Sequence, residues 1–99
     1  MSKNKKNIKV HTAVMIPADL LYEHPNNTQK QSKHEFNELR KSIAENGFDE
    51  TLLVYPRDDG EAGYWVIAGN HRKRAGVAEG MAEFPCVVHN TWSAIKARI

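Results

Sequence analysis

One segment in the first half of the chain carries the periodicity of an amphipathic helix with defined ends. Apolar residues within 36–44 recur at three- and four-residue intervals, which places them on one helical face. Ser32 and Glu35 precede them with the spacing of a capping box, in which each side chain satisfies a backbone amide of the first turn. Gly47 follows the last helical residue and supplies the positive φ that often ends a helix.

Short apolar runs bounded by proline, glycine or charged residues predict strands rather than further helices. A polar turn at 57–63 joins two of these runs and predicts a β-hairpin, while Pro85 favours an edge position for the last run. Residues 18–22 are expected to form a short turn, and 23–31 a long polar loop. The predicted strands are 10–16, which Pro17 ends, 51–55, 64–68 and 84–88.

A second, shorter helix is predicted between the last two strands, over 70–79, and Gly80 closes it. The order strand, helix, hairpin, helix, strand indicates an α/β domain with a small mixed sheet and two main helices. A chain of 99 residues has room for one hydrophobic core. We therefore expect a tail over 1–9 and a single domain over 10–99, in which 91–99 has weak helical character.

The basic residues are concentrated at the N-terminus. Four of the 14 lysines and arginines lie within 1–9, so the remaining ten face 12 acidic residues and leave a net charge of about −2 on the domain. A domain that binds nucleic acid without sequence preference carries its basic surface on the folded body. We therefore interpret 1–9 as a disordered, solvated arm in preference to a phosphate-binding one.

Composition excludes several classes of protein. Every apolar run falls short of the roughly 18 residues of a membrane-spanning helix, and the lysine-rich start lacks the apolar core of a secretory signal. The one cysteine, Cys86, cannot form an internal disulfide, so we expect a cytoplasmic protein in which Cys86 is a small buried hydrophobe. The five histidines lack the spacing of a structural zinc site, and we expect no resident metal.

The start of the second predicted helix departs from ordinary helix design. Arg72, Lys73 and Arg74 lie in its first turn and a half, where each cation opposes the helix dipole by roughly 0.3 to 1 kcal/mol. An anion bound there would make this interaction favourable, because free amides, the dipole and the guanidinium groups would converge on it. Gly69 would let the backbone approach such an anion, and His71 could donate to a phosphate oxygen.

A plainer interpretation of the same segment stays open at this point. Cations are common on solvent-exposed helix faces, and Gly69 is also the residue expected in an ordinary turn. Asp49 and Glu50 precede a buried strand at the expected rim of the site, so either could place Mg²⁺ or act as a general base. The acidic residues of 57–63 are more simply explained as turn formers.

Three stretches of the chain, in order, resemble the ParB/sulfiredoxin-like superfamily. The lead-in I-P-x-x-x-L-x-x-N-P-x-N of ParB-type partition proteins resembles VMIPADLLYEHPNN, and their L-x-x-S-I-x-x-x-G-x-x-Q-P-L-x-V segment resembles LRKSIAENGFDETLLVY. Their G-E-R-R-x-R-A…G…I-P-V-x-V stretch resembles GNHRKRAGVAEGMAEFPCVV. The resemblance runs from about Val14 to Val88. It extends to sulfiredoxin, whose phosphate-binding motif reads G-C-H-R, and to an ADP-dependent serine kinase.

This resemblance implies a nucleotide-binding fold with a triphosphate, CTP or ATP together with Mg²⁺, at the start of the second helix. Asn70 stands where ParB has a glutamate and sulfiredoxin its catalytic cysteine; an amide is no sulfur nucleophile, so sulfiredoxin activity is not expected. Asp49-Glu50-Thr51 stands where ParB has x-Gln-Pro, so the base-facing end of the site differs. The residues implied to form the phosphate and nucleotide site are Gly69, Asn70, His71, Arg72 and Arg74.

Three functions are compatible with these patterns. The first is a nucleotide-binding module whose ligand state controls contact with DNA or a protein partner, in a phage, plasmid or other mobile element. The second is an NTPase or a ParB-like metal-dependent nuclease in which Asp49 or Glu50 activates water. The third is a non-catalytic interaction module that uses Trp92 and the residues after it. Partition proteins continue into a helix-turn-helix, which is not found before Ile99, so we expect no partition-type DNA recognition.

Overall fold

Five strands and two α-helices make up the part of the chain that the computed structural model describes, residues 12–25 and 30–90. They confirm the predicted α/β class with a small mixed sheet and two main helices. The predicted tail over 1–9 and the segment 91–99, with Trp92, lie outside the described residues. In chain order the elements are β1 (Val14–Pro17), a 3-10 turn (Ala18–Leu20), β2 (Leu21–Glu23), α1 (Lys33–Asn46), β3 (Leu52–Pro56), β4 (Tyr64–Ala68), α2 (Asn70–Ala78) and β5 (Glu83–Val88).

The sheet has the strand order β1-β5-β3-β4-β2 and contains both pairing directions. Strands β3 and β4 are antiparallel, which confirms the predicted hairpin. On the other side of β3, β5 runs parallel to it and antiparallel to β1. Strand β2 pairs parallel to β4, with Leu21 opposite Tyr64. The first two strands of the chain therefore form the two edges of the sheet.

Two sequence predictions about strands are wrong. The turn predicted over 18–22 ends early, because Leu21–Glu23 form β2. A three-residue strand is too short to show a clear alternation, although Leu21 is buried. Strand β5 is not at an edge, because it lies between β1 and β3. Pro85 is accommodated there since it lies opposite Met15 of β1 and ahead of the residues that pair with β3.

Helix α1 begins and ends where the sequence predicts. Ser32 Oγ accepts a hydrogen bond from the Glu35 amide and Glu35 Oε1 accepts one from the Ser32 amide, both at 3.1 Å, so the capping box is confirmed. The hydrogen bond from the Ser32 amide holds the pKa of the Glu35 carboxyl below its ordinary value. Gly47 ends the helix with a φ of 82°. Within residues 12–25 and 30–90, no helix has the length and apolar character to cross a membrane.

The buried core cluster takes residues from all five strands, and a glycine of α2 packs closely against it. A Cβ on Gly76 would lie 2.5 Å from Cε2 of Phe84, so this approach of helix and strand requires a glycine. Phe84 and Cys86 of β5 are fully buried. Burial raises the pKa of the Cys86 thiol to about 11, which confirms this cysteine as a small buried hydrophobe.

Candidate functional site

A cleft of about 500 Å³ lies at the end of the inner strands β3 and β4, where β4 ends and α2 begins. It is lined by the strand–helix junction over 68–72 and by Glu50, Thr51 and Leu53 beside or in β3. The antiparallel pairing of β3 and β4 creates this arrangement, because it places Leu53 opposite Ala68. Most of the predicted site residues line the cleft, namely Glu50, Gly69, Asn70, His71 and Arg72, whereas Asp49 and Arg74 do not.

Gly69 forms the sharp turn between β4 and α2. Its φ of 99° and ψ of 15° lie in the left-handed region that favours glycine. A Cβ at this position would also lie 2.6 Å from Cδ2 of Leu52, which is fully buried in the core. The turn and the packing therefore already require a glycine, and an additional role of Gly69 in admitting an anion stays a prediction.

The N-terminus of α2 is formed without a side-chain cap. The first backbone hydrogen bond of the helix runs from the Lys73 amide to the Gly69 carbonyl, at 2.9 Å. The amides of Asn70, His71 and Arg72 precede that bond, and these are the positions that lack an intrahelical acceptor in any α-helix. Because these three residues line the cleft, the positive end of the helix dipole lies beside it.

Two polar side-chain atoms at the cleft, Asn70 Oδ1 and His71 Nε2, are buried without a hydrogen-bond partner. Asn70 is 4% exposed, and its Nδ2 donates to the Val66 carbonyl at 3.0 Å, which orients the amide. A buried polar atom without a partner costs about 1 to 3 kcal/mol. A ligand or a small side-chain movement that supplies partners would recover this energy.

Arg72 forms an ion pair with Glu50 across the cleft. The closest approach joins Arg72 Nε and Glu50 Oε2 at 2.7 Å, and the two side chains are 33% and 56% exposed. One of the cations that the sequence places at the helix start is therefore at the cleft, but it is already in contact with a carboxylate of the protein.

Arg74 points to a different part of the fold. Its Nε donates to Glu23 Oε2 at 2.7 Å, and its Nη2 donates to Glu23 Oε1, so the guanidinium and the carboxylate form a two-point contact. The contact joins α2 to the end of β2. These hydrogen bonds lower the pKa of Glu23 and raise that of Arg74. The structure thus does not bring Arg74 into the cleft with the other predicted phosphate-binding residues.

The two ion pairs change the physical argument for an anion site. Basic residues in the first turns of a helix are unfavourable unless a negative charge lies near them. Glu50 and Glu23 supply that charge for Arg72 and Arg74. The cationic residues alone therefore do not require an external anion, and the stronger indication comes from the uncapped helix start and the unpaired atoms of Asn70 and His71.

The acidic residues at the cleft bear on the metal and nuclease hypotheses. Asp49 is exposed and does not line the cleft, while Glu50 does. Within 12–25 and 30–90, no three histidine, cysteine, aspartate or glutamate side chains come together as a metal site. Mg²⁺ commonly takes one or two carboxylates together with substrate phosphates, and Glu50 is the carboxylate that would serve. General-base and nuclease roles for Asp49 and Glu50 stay predictions, as does the interaction surface around Trp92.

Sequence reasoning missed Glu23, the partner of Arg74 outside the cleft. Glu23 was expected in a loop, and its contact with Arg74 follows only once β2 is placed beside β4. Thr51, which the resemblance placed at the base-facing end of the site, lines the cleft from its position just before β3. The sequence carries no clear signal for a strand that ends at Glu23, because three residues are too few to show an alternation.

Comparison with protein families gives a match over nearly the whole chain. The model of the ParB N-terminal domain matches residues 2–99. The chromosome-partitioning protein Spo0J of Thermus thermophilus is 37% identical over 76 residues, which cover 76% of this chain and 27% of that protein. The match therefore spans little more than a quarter of this relative.

Solved structures show the same fold. C-terminally truncated ParB from Caulobacter crescentus, complexed with CTP-γ-S, superimposes with a TM-score of 0.77 and 25% identity over 87% of this chain and 49% of that chain. Sulfiredoxin from Arabidopsis thaliana superimposes with a TM-score of 0.68 and 20% identity, over 87% of this chain and 93% of that chain. The ParB/sulfiredoxin-like fold that the sequence motifs implied is thereby confirmed.

Proposed function

The chain belongs to the ParB N-terminal domain family, and we propose that its cleft binds the phosphates of a nucleoside triphosphate. The observation that carries the proposal is the uncapped N-terminus of α2, which lies on a 500 Å³ cleft beside Asn70 Oδ1 and His71 Nε2, two buried atoms without partners. A ParB structure of the same fold is complexed with a CTP analogue, which supports a nucleotide as the ligand.

Each cleft residue has a distinct role in this proposal. The amides of Asn70, His71 and Arg72 donate to phosphate oxygens, and the Arg72 guanidinium adds a charged donor. His71 donates from Nε2 once the side chain turns toward the ligand. Because Asn70 Nδ2 already donates to the Val66 carbonyl, Oδ1 is left as an acceptor that suits a hydroxyl or amino group better than a phosphate oxygen. Arg74 acts indirectly, by fixing α2 to β2.

Mg²⁺ fits this arrangement as part of the ligand. When bound, it would neutralise part of the triphosphate charge, and Glu50 is the cleft carboxylate that would hold it. The proposal extends to the wider role suggested by the relatives: nucleotide binding in this cleft controls contact with DNA or a protein partner in a cytoplasmic partition-like process. A relative named as chromosome-partitioning supports that role.

Thermal unfolding in the presence of nucleotides tests the proposal. A ligand at about 100 times its Kd stabilises the folded state by about 2.7 kcal/mol. For a domain of this size, each kcal/mol raises the Tm by roughly 4 to 8 °C. We expect such an increase with at least one of CTP, ATP, GTP or ADP in the presence of Mg²⁺.

Two arginine variants localise the effect. Arg72→Gln should reduce the nucleotide-dependent increase in Tm, because it removes the charged donor at the cleft. Arg40→Gln removes the same charge and also breaks an ion pair, because Arg40 of α1 contacts Glu79 at the C-terminal end of α2 at 2.7 Å. This position is away from the cleft, so the variant should leave the increase unchanged. The proposal is contradicted if no nucleotide changes the Tm of the folded protein. It is also contradicted if the two variants reduce the increase equally.

A further inference from the structure

Glu50 contacts the guanidinium on which the proposed function depends. Its Oε2 lies 2.7 Å from Arg72 Nε, and both side chains line the cleft. A carboxylate and a phosphate are alternative partners for one guanidinium, since both offer negatively charged oxygens to the same N–H donors. We propose that Glu50 is an internal competitor, whose carboxylate competes with a ligand phosphate for Arg72 and so lowers the affinity of the cleft for phosphates. The inference rests on the proposed function, because it concerns the same cleft.

Glu50 is placed so that it can give up this contact. Its side chain is 56% exposed, and it precedes β3 in the segment that follows α1, outside both elements. An exposed carboxylate that leaves an ion pair regains water, so breaking the pair costs little. Arg72 is 33% exposed and is held at the cleft by its position in the first turn of α2. The exchange of partners therefore needs only side-chain movement of Glu50.

The charge of Glu50 opposes a phosphate even after the exchange. The carboxylate stays at the rim of the cleft, where Coulomb repulsion acts between it and a bound anion. Both effects lower the affinity for a phosphate, since the wild-type carboxylate occupies Arg72 before binding and repels the phosphate after binding. An alternative role would raise the affinity: if Glu50 mainly holds Arg72 in a binding conformation, its removal weakens binding.

Calorimetric titration with sodium tripolyphosphate in Mg²⁺-free buffer separates these two roles. This probe contains phosphates without a base or a ribose, and the absence of Mg²⁺ removes any contribution of Glu50 as a metal ligand. We expect Glu50→Gln to bind tripolyphosphate about three- to tenfold more tightly than the wild type. Glu50→Ala should change the affinity in the same direction, because it also removes the carboxylate.

Glu79→Gln is the matched control. It changes the net charge by the same amount and also frees an arginine, since Glu79 contacts Arg40 at 2.7 Å, but this pair lies at the far end of α2. Tighter binding by the Glu50 variants with no change in Glu79→Gln supports the competitor, even if the wild type binds too weakly to measure. Unchanged or weaker binding by the Glu50 variants, or an equal gain in Glu79→Gln, overturns it and leaves the proposed function intact. Failure of every variant and of the wild type to bind overturns the competitor role, whereas the proposed function is decided separately by thermal unfolding with nucleotides and Mg²⁺.

Discussion

Two arginines two positions apart at the start of α2 have carboxylate partners with different properties. Arg74 and Glu23 meet through two hydrogen bonds, and each side chain is 33% exposed. Arg72 and Glu50 meet at the cleft, where Glu50 is 56% exposed. The first contact ties a helix to an edge strand, and the second lies where a ligand is proposed to bind. The same residue type on one helix thus ties two elements together in one place and forms a contact at the candidate site in the other.

The physical origin of the difference is what each glutamate is attached to. Glu23 is the last residue of β2, whose backbone is fixed by pairing with β4, so its carboxylate is held toward α2. Glu50 precedes β3, and its backbone takes no part in strand pairing. Ordering a side chain for an ion pair costs conformational entropy, and this cost is smaller where the backbone is already fixed. We therefore expect the two pairs to respond differently to mutation, pH and ligands.

The largest effect on the free energy of unfolding should come from Gly69, which forms the turn before α2. Gly69→Ala places a Cβ at a φ of 99° and 2.6 Å from Leu52 Cδ2. We expect a loss of about 3 kcal/mol in the free energy of unfolding, measured by urea denaturation. Gly60→Ala is the control, because Gly60 also has a positive φ of 83° but open space around it, and it should lose only about 1 kcal/mol. Equal losses would show that the packing against Leu52 does not matter.

Removing the guanidinium of each pair sharpens the comparison directly. Arg74→Met should lower the free energy of unfolding by about 1 kcal/mol, since it breaks a two-point contact that is partly screened by solvent. Arg72→Met should lower it by less than about 0.5 kcal/mol. Urea denaturation of both variants at neutral pH measures the difference. A larger loss for Arg72→Met would reverse the assignment of the structural and the exchangeable pair.

Acid provides a milder way to break the Glu23 contact. The hydrogen bonds from Arg74 hold the pKa of Glu23 below its ordinary value of 4.5, so the folded state binds this proton less readily than the unfolded state. The carboxylate therefore contributes stability above about pH 4.5, and this contribution is lost as the pH falls through the lower, folded-state pKa. The stability difference between the wild type and Glu23→Gln, at most about 1 kcal/mol at neutral pH, should shrink over that interval. A difference that is constant with pH would contradict this origin.

The smallest effect is expected at the cleft itself. Glu50→Gln should change the free energy of unfolding by less than about 0.5 kcal/mol in either direction, because the pair that it breaks is exposed. Chemical denaturation without ligand measures this change. A loss above about 1 kcal/mol would make the Arg72–Glu50 contact a structural tie like that of Arg74 and Glu23.

The sequence predicts those parts of this molecule that depend on neighbours along the chain. The capping box of Ser32 and Glu35, the β3–β4 hairpin and the glycine turn before α2 are all decided within a few residues, and the structure confirms them. Strand β2 and the internal position of β5 depend on pairing between distant segments, which residue patterns do not encode.

The same limit applies to the candidate site. The sequence placed the cationic residues at a helix start correctly, because the turn at Gly69 fixes that start. It could not supply their partners, since Glu23 is 51 positions from Arg74 and comes close to it only because β2 pairs with β4. The sequence also could not predict the unpaired atoms of Asn70 and His71, because their burial depends on how β3, β4 and α2 pack together.

The pairing of β1 has a consequence for how the protein is made. A ribosome releases β1 long before β5, yet β5 is the strand that β1 joins, with Val14 opposite Cys86. During synthesis the first strand therefore has no place in the sheet until almost all of residues 12–90 have left the exit tunnel. Val14 and Met15, both about half exposed even in the finished fold, stay unprotected throughout that interval. A nascent chain that stalls before residue 83 carries an open strand that is free to pair with another molecule.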